Sequence, residues 1–112
     1  MHNQSGLILF VKNYQECIRF YRDRIGLAVT FEKPGITRFE FGSLYLQIED
    51  CESMKAEPTR NLILRQNVQS VSGKQRELLP RDIRLEIHDL EWGKIGFVFD
   101  PSGNKVEYFR QK

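Results

Sequence analysis

Near the end of the chain, residues 100–107 read Asp-Pro-Ser-Gly-Asn-Lys-Val-Glu. The first five residue types favour a tight turn, because Pro fixes its own φ, and Gly and Asn tolerate backbone conformations that other residues avoid. The residues that follow alternate between polar and apolar, which predicts a strand over 106–109. This stretch therefore predicts a turn into the last strand, with Glu107 on the polar side of that strand.

The rest of the second half predicts one strand, one helix and two further strands ahead of this turn. Their bounds are 62–64 for the first strand, 71–79 for the helix, and 83–87 and 95–99 for the later strands. Pro80 ends the helix, because its ring cannot continue the helical hydrogen bonds.

The first half predicts the same order of elements. A strand over 7–11 precedes a helix over 14–25, and strands follow over 27–32, 36–41 and 44–49. Asn13 and Glu16 have the spacing of a capping box, and Gly26 supplies a left-handed helix end without steric cost.

Two copies of one strand-helix-three-strand unit indicate an internal repeat, in which neither unit buries its sheet face alone. Residues 51–60 are polar, contain Pro58 and show no periodicity, which is typical of a linker. We therefore expect a single domain over 1–112, with module 1 over about 5–50 and module 2 over about 61–112.

Composition excludes several classes of function. The 112 residues include 17 Lys plus Arg and 15 Asp plus Glu, and this net charge of +2 is scattered rather than gathered into a basic face for nucleic acid. The longest apolar runs are far shorter than the ~20 residues that span a membrane. The first residues lack the pattern of a secretory signal, and Cys17 and Cys51 are isolated, so we expect a cytoplasmic protein with reduced thiols.

Three stretches together resemble the vicinal oxygen chelate superfamily, which contains glyoxalase I, extradiol dioxygenases, and fosfomycin- and bleomycin-resistance proteins. They are residues 9–13 followed by Phe20-Tyr21-Arg22-Asp23 and Ile25-Gly26-Leu27, then Trp92-Gly93, and finally 100–107. The resemblance implies an α+β fold of two βαβββ modules whose sheets curl into an open barrel around a central cleft.

The resemblance also implies four metal-ligand positions in metal-dependent members, on the first and fourth strand of each module. Here Glu107 matches the last position, and Gln47 is the candidate on the fourth strand of module 1. The first-strand positions fall at Gly6 and at Ile63, or at Asn61 in an alternative register, and none of these is a His. Since His2 and His88 are the only imidazoles in the chain, we expect no tightly bound metal and no other cofactor. If a divalent metal binds, Glu107 and Gln47 are its candidate ligands.

The polar faces of the predicted strands are the candidates for a ligand site. The candidate ligand-binding residues are Tyr45, Gln47, Glu49, Trp92, Glu107 and Phe109. Aromatic rings beside carboxylates and arginines suit a planar or cationic organic molecule. Glu107 is the best candidate for a general base, although a glutamate in a strand also commonly faces solvent or pairs with an arginine. Trp92 has the alternative of packing in the core or in a subunit interface.

The function we expect is binding of a small organic molecule without a tightly held metal, as in the bleomycin-resistance branch. The alternative is a metal-dependent lyase or dioxygenase of the glyoxalase type, which would use Glu107, Gln47 and Glu49. A third possibility is a domain that acts only through protein contacts. We also expect a homodimer, because sheets with open edges gain stability by pairing.

Overall fold

The computed structural model describes residues 4–112. In the first half, β1 (Gly6–Val11) leads to α1 (Tyr14–Arg19), which continues as a wider π-helical segment (Phe20–Ile25), and β2 (Val29–Lys33), β3 (Ile36–Phe41) and β4 (Leu44–Asp50) follow. The second half repeats this order with β5 (Ile63–Asn67), α2 (Val71–Leu78), a 3-10 turn (Leu79–Arg81), β6 (Glu86–Leu90), β7 (Gly93–Phe99) and β8 (Lys105–Gln111).

The strands form two four-stranded mixed sheets of the same topology. The first sheet has the order β1-β4-β3-β2 and the second the order β5-β8-β7-β6. The first strand of each half pairs in parallel with the fourth, and the other pairs are antiparallel. The prediction of an α+β fold with two βαβββ modules is confirmed, and the sheets do not close into a barrel.

Two local predictions differ from the structure. Asn13 adopts φ 53° and its side chain makes no capping hydrogen bond, so the capping box with Glu16 is wrong. The main chain closes this turn instead, since the N–H of Cys17 donates to the carbonyl of Asn13 at 3.0 Å. The strand predicted over 83–87 also differs, because β6 begins only at Glu86. Ile83 and Leu85 lie in the irregular segment before it, and both side chains are buried in the core. Gly26 ends the helix as predicted, at φ 89°.

One face of each sheet packs with the helices into a single core that includes both modules. Its fully buried side chains include Leu9, Leu46 and Ile48 from the first sheet and Leu64, Val106 and Tyr108 from the second. Cys17 lies in this core, where burial and the nearby charge of Asp100 raise the pKa of its thiol to about 12. The prediction of an inert core thiol agrees with this environment. Within residues 4–112, no helix is long and apolar enough to cross a membrane.

The turn before β8 connects the two modules through the carboxylate of Asp100, which is only 4% exposed. The hydroxyl of Tyr21, on the helix of module 1, donates to Oδ2 of Asp100 at 2.6 Å. The backbone N–H groups of Ser102 and Asn104 donate to Oδ1 at 2.8 and 2.9 Å. Burial, with the charge of Asp100 beside it, raises the pKa of Tyr21 well above its ordinary value, so the hydroxyl remains a donor.

Asn104 extends this connection to the segment between the modules. Its side-chain oxygen accepts from the N–H of Leu62 at 3.0 Å, and its amide nitrogen donates to the carbonyl of Thr59 at 3.3 Å. The hydroxyl of Thr59 in turn accepts from the N–H of Phe10 at 2.9 Å. The turn predicted from the sequence therefore holds β1, the linker and β8 in one hydrogen-bonded network.

Tyr21→Phe removes the one side-chain donor to Asp100 while leaving the core volume almost unchanged. We expect the free energy of unfolding to fall by about 1.5–3 kcal/mol, the usual contribution of a hydrogen bond to a charged group. Urea titration with an unchanged m-value measures this loss. The matched control is Tyr14→Phe, which removes a hydroxyl contact with Thr37 within module 1. A loss no larger for Tyr21→Phe than for this control would contradict the assignment.

Candidate functional site

The faces of the two sheets that point away from the core carry the polar side chains predicted for a ligand site. Strand register defines one equivalent row in each sheet. In the first sheet Ile8 of β1 lies beside Gln47 of β4, and in the second Arg65 of β5 lies beside Glu107 of β8. These four residues occupy corresponding positions in the two modules, because both pairs of strands are parallel and have the same order.

The register shows where the predicted first-strand positions lie relative to this row. Gly6 pairs with Tyr45 and Ile63 pairs with Lys105, so both lie two residues away from the row that contains Gln47 and Glu107. Asn61 precedes β5 altogether. Gly6 has a structural explanation, since a side chain there would overlap the ring of Tyr45.

In module 2, Glu107 is a buried carboxylate, 3% exposed, that pairs with an arginine. Nε of Arg65 donates to Oε2 of Glu107 at 2.6 Å. The guanidinium carbon lies 5.1 Å from the ring centroid of Phe109 and 5.7 Å from that of Trp92. Trp92 and Phe109 also contact each other, with centroids 6.3 Å apart at 63°. Arg65 is thus held by one hydrogen bond and lies beside two aromatic rings.

In module 1, Gln47 has the equivalent position and also binds an arginine. Its Oε1 accepts from Nε and Nη2 of Arg38 at 2.9 and 2.8 Å, and its Nε2 donates to Glu49 at 2.6 Å. The guanidinium of Arg38 lies over the ring of Tyr45, 4.3 Å from its centroid, and 5.8 Å from that of Phe31. All hydrogen-bonding atoms of the Gln47 amide group therefore have partners within the module.

The structure brings the predicted residues together as two groups rather than one. The first group consists of Tyr45, Gln47 and Glu49, and the second group consists of Trp92, Glu107 and Phe109. Among residues 4–112, no hydrogen bond or ion pair joins them. Sequence reasoning missed both arginines, and the only signal was their place on the polar side of an alternating strand.

The two histidines do not join either group. His88 lies on the same face of its sheet as Glu107, stacks on Phe97 with centroids 5.9 Å apart, and has a nitrogen 2.7 Å from Glu86. This places the polar side of β6 on the face that carries the candidate site. His2 lies outside the described residues.

The residues of the row do not fit a divalent metal. Ile8 offers no donor atom, both ends of the Gln47 amide are engaged, and Arg65 places a positive charge against Glu107. A metal needs several oxygen or imidazole donors, and a guanidinium at this position repels a cation. Within residues 4–112 no three His, Cys, Asp or Glu side chains are grouped as a metal site would require.

These observations define a class of protein: two βαβββ modules on a shared core, with polar sheet faces that carry the candidate ligand residues. The model of the Glyoxalase/Bleomycin resistance protein/Dioxygenase superfamily matches residues 4–108. The chain belongs to this superfamily.

Solved structures of the same fold are similar over nearly the whole chain. A glyoxalase/bleomycin resistance protein/dioxygenase from Nocardioides has a TM-score of 0.81 at 19% identity, covering 99% of this chain and 84% of its own. A lactoylglutathione lyase from Agrobacterium tumefaciens has a TM-score of 0.74 at 20% identity, covering 98% and 94%. An antibiotic-binding protein from a Streptomyces species has a TM-score of 0.72 at 18% identity, covering 100% and 98%. No curated protein matches the chain by sequence.

Arg65→Met leaves the Glu107 carboxylate buried without its partner. We expect the free energy of unfolding to fall by about 1–3 kcal/mol. This loss is smaller than the usual cost of breaking a buried ion pair, because the Arg65 side chain is half exposed. The double variant Arg65→Met/Glu107→Leu should recover most of this loss, since it removes the uncompensated charge. Chemical denaturation of the single and double variants measures the coupling.

The control for this measurement is Arg22→Met, which removes an arginine from the exposed pair with Asp23. We expect little change in stability there. An Arg65→Met variant as stable as the wild type would show that Glu107 does not depend on Arg65.

Proposed function

We propose that this protein binds a small organic molecule on the polar faces of its sheets and holds no divalent metal tightly. The observation that carries the proposal is the Arg65–Glu107 pair, because the residue that matches a metal-ligand position, Glu107, is bonded to an arginine at 2.6 Å. A role in binding is also consistent with the structural similarity to an antibiotic-binding protein.

The alternative, a metal-dependent lyase or dioxygenase, has less support from the donor atoms. It would require Glu107 together with Gln47 and Glu49. Glu107 is bonded to Arg65, and Gln47 and Glu49 are bonded to each other in the other group. The similarity to a lactoylglutathione lyase at 20% identity concerns the fold alone.

We further propose that the chain acts as a cytoplasmic homodimer built from one domain. Two large apolar side chains on the polar sheet face of module 1 are exposed: Ile8 and Phe31. Exposed apolar side chains are typical of an interface or a ligand site. The shared core supports one domain, and the free thiols of Cys17 and Cys51 agree with a reducing compartment.

Metal analysis of protein purified without chelators tests the metal-free proposal. We expect zinc, nickel, manganese and iron each well below one ion per chain, with no gain in thermal stability when these ions are added, because a ligand of the native state would raise the melting temperature. One bound ion per chain that is lost in Glu107→Gln would contradict the proposal and favour the enzyme alternative.

Light scattering at several protein concentrations tests the dimer. We expect twice the chain mass, and a shift towards the monomer for Ile8→Glu and Phe31→Glu, because a charge would enter the apolar contact. Leu79→Glu is the matched control, since Leu79 is also exposed but lies in the 3-10 turn. A monomer at all concentrations, or equal effects of all three substitutions, would refute this interface.

A further inference from the structure

We infer that the ligand is a planar aromatic anion, and that Arg65 and Lys105 bind its negative group. This inference rests on the proposed binding function and specifies the ligand class for the module 2 face. An anionic ligand differs from the cationic organic molecule that the sequence analysis also allowed.

The first step is the unused hydrogen-bonding capacity of Arg65. A guanidinium carries five N–H donors in a planar fork. Within residues 4–112 the side chain uses only Nε–H, on Glu107, and it remains 49% exposed. The four N–H groups on its two terminal nitrogens therefore have no acceptor among these residues, and a guanidinium can bind a carboxylate through two parallel hydrogen bonds.

The second step is that Arg65 is held in place before a ligand arrives. The bond from Glu107 fixes one edge of the guanidinium, and the rings of Phe109 and Trp92 limit its motion on the sides. An arginine positioned in this way loses less conformational entropy on binding. Glu107 therefore acts as a positioning residue for Arg65 rather than as a contact for the ligand.

The third step is the charge of this face. Lys105 lies two residues before Glu107 on the same face of β8, with Nζ 4.1 Å from the ring centroid of Phe97 and 5.6 Å from that of Phe99. It forms no ion pair with another of residues 4–112. Glu107 is buried and paired, and Glu86, on the far side of Phe97, is bonded to His88. Lys105 therefore adds a positive charge, without an ion-pair partner in residues 4–112, to the face that carries Arg65.

The fourth step concerns the shape of the ligand. Trp92 is 40% exposed and Phe99 is 55% exposed, on either side of the two cations. Aromatic faces stack on planar rings, and an anionic substituent on such a ring would reach Arg65 or Lys105. The module 1 group differs, because Arg38 donates from Nε and Nη2 to Gln47, and the same Gln47 binds the carboxylate of Glu49.

Trp92 provides the signal for a test, because it is the only tryptophan of the chain. The probes are 1-naphthoate, its neutral amide and 1-naphthylmethylammonium, which share one ring system and differ in charge. We expect 1-naphthoate to change the Trp92 fluorescence saturably, to weaken with rising salt, and to bind about tenfold or more tightly than either analogue.

Substitutions assign the effect to residues. Arg65→Gln and Lys105→Gln should each weaken binding of 1-naphthoate several-fold, with the larger loss for Arg65→Gln, because an arginine can donate two parallel hydrogen bonds to a carboxylate whereas a lysine acts as a point charge. Lys94→Gln is the matched control with the same change of charge, since Lys94 lies on the opposite face of β7 near Asp89. It should bind as tightly as the wild type.

The outcomes separate the two proposals. Preference for the amide or the ammonium probe, or wild-type binding by both Arg65→Gln and Lys105→Gln, would overturn the anion inference and leave small-molecule binding intact. If none of the three probes binds saturably, the result would contradict both the anion inference and the proposed small-molecule binding. Preference for 1-naphthoate that is lost in Arg65→Gln and retained in Lys94→Gln would support the inference.

Discussion

The buried carboxylate of Asp100 is the constraint on which the arrangement of the two modules depends. A charge removed from water must be compensated by hydrogen bonds, or its burial would cost several kcal/mol. The donors come from two parts of the chain that are far apart in sequence: the hydroxyl of Tyr21 in module 1 and the N–H groups of Ser102 and Asn104 in module 2. Satisfying this carboxylate therefore brings the helix of module 1 against the last turn of module 2.

This connection determines which sheet faces remain open. Because the helices and the apolar faces of both sheets meet in one core, the alternate residues of every strand must point to the other side. That side holds a corresponding row in each module, with Gln47 in the first and Glu107 in the second. Each row residue binds an arginine, and the faces differ in the charge beside that pair, which is Glu49 in module 1 and Lys105 in module 2. In module 1 Arg38 donates from two nitrogens, whereas Arg65 donates to a residue of 4–112 only from Nε.

The sequence predicted the elements and the faces, because both depend on local patterns. Alternation placed Gln47 and Glu107 on polar faces, and the turn at 100–104 identified the last strand. The register between parallel strands could not be predicted, because a shift of two residues keeps every side chain on the same face. The sequence therefore could not show that Ile8 and Arg65 are the residues that pair with Gln47 and Glu107. The Arg65–Glu107 pair joins residues 42 positions apart, and no local pattern indicates such a contact.

An arginine bonded to Glu107, in place of a metal ion, changes what this face can do chemically. A divalent ion would hold two neighbouring oxygens of a ligand and polarise the bonds beside them. A guanidinium also recognises oxygen atoms, through hydrogen bonds and a fixed positive charge, but it remains protonated and has no open coordination position. Its carboxylate partner is engaged in the same pair and is 3% exposed, so Glu107 is poorly placed to take a proton from a ligand. The same residues that disfavour a metal therefore favour recognition of an anion over catalysis at this site.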